Sequence, residues 1–434
     1  MILRFSAFLV LSILLISPVQ AIEVKRVDTD IGVSALLVED HSNPIIAMRI
    51  AFHGGAALDP MDQEGLANLV SALIDEGAGD LDSQAFQGRL EDFSISLSFS
   101  AGKDNFSGTL TTLTENRAEA FSLFKLAMSA PRFDAEPIER IRSQILAGIR
   151  QDSEDPNSIA YEHLNKIMFG DHPYARQTDG TEESVQAITA DHMRDFVKNR
   201  LALDNLHIGV TGDITADELK SVLQDIFGGL PKHAKPWKLP VAKTPTSGTQ
   251  KVINKAVLQS AIVFAQRGLM RKNPDFYPAY VMNYILGGGG FVSRLYREVR
   301  EKRGLAYSVY SYLTPMDHAA LYIGGAGTAN ASVSETLSVI REQWALMRDQ
   351  GISSIELENT RTYLTGSYPL RFSSNGKIAN MLLGIELENL GADFFDRRNS
   401  LVEAVTLDDV NRVARELLDP DNLTFIVVGE PEGL

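Results

Sequence analysis

The 434-residue sequence contains no cysteine. Disulfides, thiolate-held zinc and a cysteine nucleophile are excluded together. Positive charge is also short: 41 Lys and Arg stand against 56 Asp and Glu, a net charge of −15. So acidic a chain is a poor partner for nucleic acid, whose phosphates select basic surfaces. Histidine is sparse. None of the eight (His41, His53, His163, His172, His192, His207, His233 and His318) stands four residues from another, so no helix offers two imidazoles on one face. Asp75 and Glu76 alone are too few for a zinc site, and Ser71 has no histidine in a recognisable nucleophile motif. His172, in Gly170-Asp171-His172-Pro173-Tyr174, reads as a structural loop residue.

Long apolar runs are missing too, except at the N-terminus. There Arg4 precedes an apolar run from Phe5 to Ile16, and Val19 and Ala21 supply small residues at the −3 and −1 positions of a secretory cleavage site. The run is short for a bilayer span. Residues 1–21 are therefore expected to be a cleavable signal peptide, and the mature chain an exported protein, periplasmic in a Gram-negative source. Loss of Arg4 would take the charge to −16, and no later stretch could span a membrane. What remains is 44% hydrophobic by the whole-chain composition, enough for real cores in two or more domains.

Alternating segments near Val33-Ala35-Leu37 and Ile45-Ala47-Arg49-Ala51 read as a pair of strands about an Asn43-Pro44 turn. Two more strands follow in 94–113 around Gly102-Lys103-Asp104-Asn105. Helical periodicity marks 83–93, 115–128, 136–151, 161–168 and 190–199, and a strand covers 206–210. Residues 228–251 hold Pro231, Pro236, Pro240 and Pro245 and read as a semi-rigid linker between an N-terminal domain, 22–227, and a C-terminal domain, 252–434. The second domain opens with a strand at 260–266 and a helix at 277–286.

An internal repeat ties the two together. Leu203-Asp204-Asn205-Leu206 through Gly212-Asp213 parallels Pro420-Asp421-Asn422-Leu423 through Gly429-Glu430, and Thr406 follows Thr189 by the same 217 positions as Glu430 follows Asp213. Register kept through a helix and a strand implies two homologous α+β domains in tandem.

Two stretches carry the functional signal. In Glu64 to Gly77 an apolar face of Leu66, Leu69, Val70, Leu73 and Ile74 stands opposite Asn68, Ser71, Ala72 and Asp75, with Gly77 as the helix stop. By itself this is an amphipathic helix. In 286–312, Gly287, Gly288, Gly289 and Gly290 lead into Ser-Arg-Leu and Arg-Glu-Lys-Arg-Gly-Leu-Ala-Tyr. The glycines follow a helical pattern and lack a Gly-Lys-Ser/Thr ending, which argues against a phosphate cradle. Taken alone they form a flexible hinge, and Arg297, Arg300, Lys302 and Arg303 suit a helix C-terminus capped by Gly304.

Together these stretches resemble the pitrilysin/insulinase family of inverted zincins, over essentially the whole mature chain. Gly65-Leu66-Ala67 opens what looks like that family's active-site helix, where His-x-x-Glu-His supplies two zinc ligands and a general base. The matching positions are Asn68, Ser71 and Ala72. The family's third ligand is a Glu in a later helix ahead of an acidic-Asp-Pro element; Gly148 matches it, ahead of Glu154-Asp155-Pro156. Asn and Ser are poor zinc ligands, and Ala and Gly have none to give. The second stretch, by contrast, is nearly intact. The resemblance implies that Arg300 and Tyr307 reach across a cavity to the scissile peptide, donating charge-assisted hydrogen bonds and stabilising an oxyanion. It further implies that Gly287 to Gly290 form a substrate-facing loop like that of the mitochondrial processing peptidase's non-catalytic subunit.

The expected fold is thus two mainly antiparallel sheets, each packed with helices, facing one another across a cavity. The expected function is the non-catalytic subunit of an exported zinc-dependent peptidase. It would bind peptide, carry no cofactor itself, and pair as a heterodimer with a His-x-x-Glu-His subunit that holds the zinc. The alternative is an inactive peptide-binding or assembly scaffold without a protease partner, similar to the core subunits of the bc1 complex, with an edge strand near 94–100 for β-augmentation.

Overall fold

The computed structural model describes residues 22–434; the expected signal peptide lies outside the described residues. No helix among the described residues is long and apolar enough to cross a membrane. The N-terminal sheet contains β1 (Lys25–Asp28), β2 (Ser34–Glu39), β3 (Ile45–His53), β4 (Ser96–Ala101), β5 (Asn105–Leu113) and β6 (Leu206–Gly212), in the order β1-β2-β6-β3-β5-β4. The C-terminal sheet contains β7 (Gln250–Asn254), β8 (Gln259–Arg267), β9 (Ala306–Pro315), β10 (Ala320–Ala329) and β11 (Thr424–Gly429), in the order β7-β11-β8-β10-β9.

Apart from the extra β1, the two sheets share one topology. In each, a single parallel pair, β2–β6 or β7–β11, joins an otherwise antiparallel ladder. The repeat seen in the sequence marks equivalent elements: helices Ala190–Arg200 and Leu407–Leu417, capped by Thr189 and Thr406 through the same side-chain bond, lead into β6 and β11. Central strands are buried on both faces, as in Ile46-Ala47-Met48 and Ile262-Val263-Phe264, which explains their unbroken apolar runs.

The helices do not all stay with their own domain. Helix Pro156–Phe169 lies across β8 and β11 of the C-terminal sheet, burying Ala160, Leu164, Met168 and Phe169 against Val263, Leu321, Ile323 and Ile426. In return, helix Asn375–Leu387 lies on β2, β6 and β3 of the N-terminal sheet and buries Leu382 and Ile385 against Leu36 and Val38. A Cβ on Gly209 of β6 would stand 2.5 Å from the Ala379 carbonyl oxygen, so only glycine lets this helix seat so closely. At about 1.5–3 kcal/mol for each large apolar side chain buried, Leu164, Met168 and Phe169 alone contribute an upper figure of roughly 5–9 kcal/mol. The two domains are thereby locked into one body.

Four local expectations change. Strands β2 and β3 are not neighbours, because β6 inserts between them from far along the chain. The opening helix is short, Leu66–Ser71, and continues as turns to Gly77. The Ser71 hydroxyl donates back to the Asn68 carbonyl at 2.8 Å, a local bond that competes with the helical ladder. Ser71 is only 4% exposed rather than on an open polar face. The proline-rich segment has no helix or strand from 228 to 249, but its expected last residues, Gln250 and Lys251, already belong to β7. It is pinned along its length: Lys235 N donates to Asn199 O, Ala242 N to His318 O, and the His172 ring lies 2.8 Å from Pro240 O.

Candidate functional site

The helix Leu66–Ser71 packs beside helix Ala135–Glu154, so the fold brings Asn68, Ser71 and Ala72 and the Gly148 helix together as the resemblance requires. The side chains are wrong for zinc. Ser71 Oγ is spent on Asn68 O, and a Cβ on Gly148 would meet nothing within 4 Å. Of the nearby acids, Glu76 is paired to Arg140 at 2.7 Å and accepts from Ser83. Asp75 is held up at about 7 by burial and, secondarily, by the Glu76 charge. Among the described residues no group of three or more His, Asp or Glu is placed to hold a metal.

The second constellation is built differently from a flexible hinge. Helix Phe276–Asn283 widens into a π-helical turn, Tyr284–Gly288, and Gly287 and Gly288 close it. A Cβ on Gly287 would stand 2.3 Å from Ser311 Oγ and 2.8 Å from Ser311 N, so this glycine is required by the approach of β9. Gly289 follows, and Gly290, at φ +58°, turns the chain into the short Gly290–Val292 helix. Phe291 and Val292 project from its tip, 73% and 69% exposed. A cavity of about 600 Å³ opens beside them, lined by Tyr284, Phe291, Arg297, Asn359 and Tyr363.

Arg300 sits in a second π-helical turn, Tyr296–Glu301, which ends with Gly304 N donating to Arg300 O. Helix-end capping accounts for part of the basic cluster and fails for Arg300. Glu298 pairs with Lys302 at 2.9 Å, Arg303 at 3.0 Å and Arg297 at 3.3 Å, and these partners hold its carboxyl down at about 2. Arg300 has no ion pair among the described residues; its guanidinium instead lies between the rings of Tyr307 at 4.5 Å and Tyr296 at 4.9 Å. Tyr307, at the start of the edge strand β9, is 77% exposed. Ring contacts run without a break from Phe291 to Tyr296, at 4.9 Å, and on to Arg300 and Tyr307. The structure therefore joins the glycine loop to the Arg300/Tyr307 pair. No hydrogen bond, ion pair or ring contact joins this set to Asn68, Ser71 or Ala72 among the described residues.

Sequence reasoning missed three of these parts. Tyr296 precedes Arg300 by four residues, a spacing that alone could have flagged a stacked pair. Glu298 as the sink for three cations had only its position among them as a sign. Tyr161, on the exchanged helix, places its hydroxyl 3.3 Å from those of Tyr310 and Tyr312 on β9, a contact between distant segments that no local pattern announces.

A zinc-peptidase scaffold whose metal positions hold no ligands is the class that fold and site define. Comparison with known proteins agrees. Residues 34–182 match the family description "Insulinase (Peptidase family M16)" and residues 187–364 match "Peptidase M16 inactive domain". The non-peptidase homolog YmxG of Helicobacter pylori is 27% identical over 399 residues, 91% of each chain. An uncharacterized zinc protease of Streptomyces coelicolor, SCO5738, is 30% identical over 292 residues, 65% of this chain and 63% of its own. A crystal structure of a peptidase M16 inactive domain from Pseudomonas fluorescens superposes with a TM-score of 0.89 at 29% identity, covering 94% of this chain and 98% of that one. The chain belongs to the M16 (pitrilysin/insulinase) family, as an inactive member without the catalytic metal motif.

Proposed function

We propose that the protein is the non-catalytic, exported subunit of a zinc-dependent peptidase. It pairs with a homologous subunit that carries His-x-x-Glu-His and holds the zinc, and it supplies Arg300 and Tyr307 to the peptide in the shared cavity. The observation that carries this reading is the uncommitted Arg300 guanidinium. The neighbouring cations Arg297, Lys302 and Arg303 are each paired with Glu298, whereas Arg300 is held by two aromatic rings with its N–H groups left to donate. A peptide carbonyl is the neutral acceptor such a fork suits, and the adjacent Tyr307 hydroxyl stands ready for an oxyanion. Phe291, Val292 and the cavity behind the glycine loop give an apolar wall for the same peptide.

The test begins with native purification, mass spectrometry of co-eluting proteins and a zinc assay on the same fractions. A stoichiometric homologue with zinc and His-x-x-Glu-His is expected; a metal-free monomer or homodimer would turn the reading to a scaffold. In the reconstituted pair, Arg300→Ala and Tyr307→Phe are expected to lower kcat/KM by about 100- to 1,000-fold, the scale of one lost transition-state donor, while assembly persists. Full activity in both variants would remove the mechanistic claim.

A further inference from the structure

The turn between β9 and β10 reaches out of its own domain. Its tip residues Asp317 and His318 are held by N-terminal groups: His53 Nδ1, at the end of β3, lies 3.1 Å from Asp317 Oδ2. Asp317 N donates to Asp104 Oδ2 at 3.2 Å, and His318 N donates to the Tyr174 hydroxyl at 3.1 Å, which in turn donates to Asp104. Asp104 belongs to the β4–β5 turn, whose backbone is itself fixed by Gly54 N and Gly55 N donating to Asp104 O. A cavity of about 540 Å³ lies beside this junction, lined by Ser100, Lys103 and Asp104 from one domain and Thr314, Met316 and Ile323 from the other. The strand leaving the clasped tip is β9, which carries Tyr307 at its far end.

We propose that the tip of the β9–β10 hairpin is a protonation-sensitive clasp: charged His53 holds Asp317 and tightens β9 against the N-terminal domain, and loss of that charge on the alkaline side loosens the hairpin. The groups facing His53 decide the direction. From β6, His207 stands edge-on at 4.8 Å and is held down at about 4, by burial first and by the His53 charge second, so it stays neutral. Asp317 raises the His53 pKa above its ordinary value, and His53 in return lowers that of Asp317. From the β4–β5 turn, Asp104 is pushed up by burial; from the end of helix Asn375–Leu387, so is Glu388, with Arg271 and Lys272 beyond it. Lys103 turns away to donate to Arg176 O. The other ties do not follow the His53 charge. The Asp317 and His318 amides still donate to Asp104 and Tyr174, and Ala242 N to His318 O. The Tyr161 phenol beside Tyr310 and Tyr312 is held far above the ordinary range by burial.

The sign follows. A raised histidine pKa means that the pair's contribution is fully present below the unfolded value and disappears as pH rises through the folded one. As His53 discharges, the Asp317 carboxylate loses the cation that faces it, and the attraction at the tip is lost.

The clasp is independent of any peptidase partner and is tested on the mature chain alone. Amide hydrogen exchange, corrected for the intrinsic pH dependence, is followed in peptides of 306–329 at about pH 6 and about pH 8.5, with helix 375–387 as the reference. In the natural sequence, protection of the hairpin is expected to fall roughly two- to fivefold at the higher pH, the ratio a partly exposed ion pair supports. His53→Gln should show the low protection at both pH values. Asp317→Asn, in an exposed turn that tolerates the change, should do the same and decides the matter if His53→Gln fails to fold. Flat protection in the natural sequence, or a pH step that survives in Asp317→Asn, overturns the proposal.

Discussion

Replacing Asp75 with asparagine isolates one electrostatic burden left in the opening helix region. Asp75 lies in the turns after Ser71, its own carbonyl accepting from Gln87 Nε2 at 2.9 Å, with Glu76 adjacent and like-charged. Burial raises its carboxyl from an ordinary 3.8 to about 7. The folded state therefore binds a proton that the unfolded chain releases, and stability falls as pH climbs from the unfolded value through about 7. Three pKa units correspond to a ceiling of ~4 kcal/mol, and relaxation with water around a partly exposed group brings the expected loss nearer ~2 kcal/mol. Asparagine is close to the shape of the protonated acid and never ionises. Urea denaturation midpoints for both proteins at about pH 5 and about pH 8.5 measure the difference. The variant should be more stable at both values, by a smaller margin near pH 5, where the loss has only begun, and by ~2 kcal/mol near pH 8.5. An equal offset at both pH values would refute burial as the cause.

Two glycines make opposite predictions. Gly148→Ala sits in an exposed helix interior with open space around the new methyl, and should stabilise the fold by ~0.5–1 kcal/mol in thermal or urea denaturation. Gly287→Ala drives its methyl into Ser311 and should destabilise by ~1–3 kcal/mol, while slowing β9 docking enough to raise hydrogen exchange in 306–312.

Local features of the fold were legible and distant ones were not. The repeat at an offset of 217 placed Thr189 and Thr406 at equivalent positions, and hydrophobic periodicity marked Arg117–Ser129, Ala135–Glu154 and Ala190–Arg200, because both signals live within a few turns of chain; Ala216–Phe227, Val333–Gln350, Ser354–Gly366 and Asn375–Leu387 went unmarked. It did not show β6 entering between β2 and β3, since strand neighbours are chosen by long-range pairing. Nor did it show that helix Pro156–Phe169 belongs against the other domain's sheet: an apolar face states that it will be buried, never against what. In the site, the family resemblance singled out Asn68, Ser71, Ala72 and Gly148, and residue type then showed that they offer no good zinc ligand. The pairing of Arg303 with Glu298, five residues apart, was not legible, because a π-helical turn shifts which side chains meet, whereas Lys302 stands at the ordinary i,i+4 spacing.

The exchanged helices also bear on how the chain is made. When the first half leaves the ribosome, β2, β6 and β3 have an uncovered apolar face, because the helix that covers them is residues 375–387, still unsynthesised. Helix Pro156–Phe169 meanwhile holds Leu164, Met168 and Phe169 with no sheet to receive them. Each half can build the core on one face of its sheet, but neither can cover the other face alone. A nascent or truncated first half is a sticky intermediate that needs shielding until its second half arrives, and a nick in the proline-rich segment of the finished protein would leave two polypeptides still gripping one another.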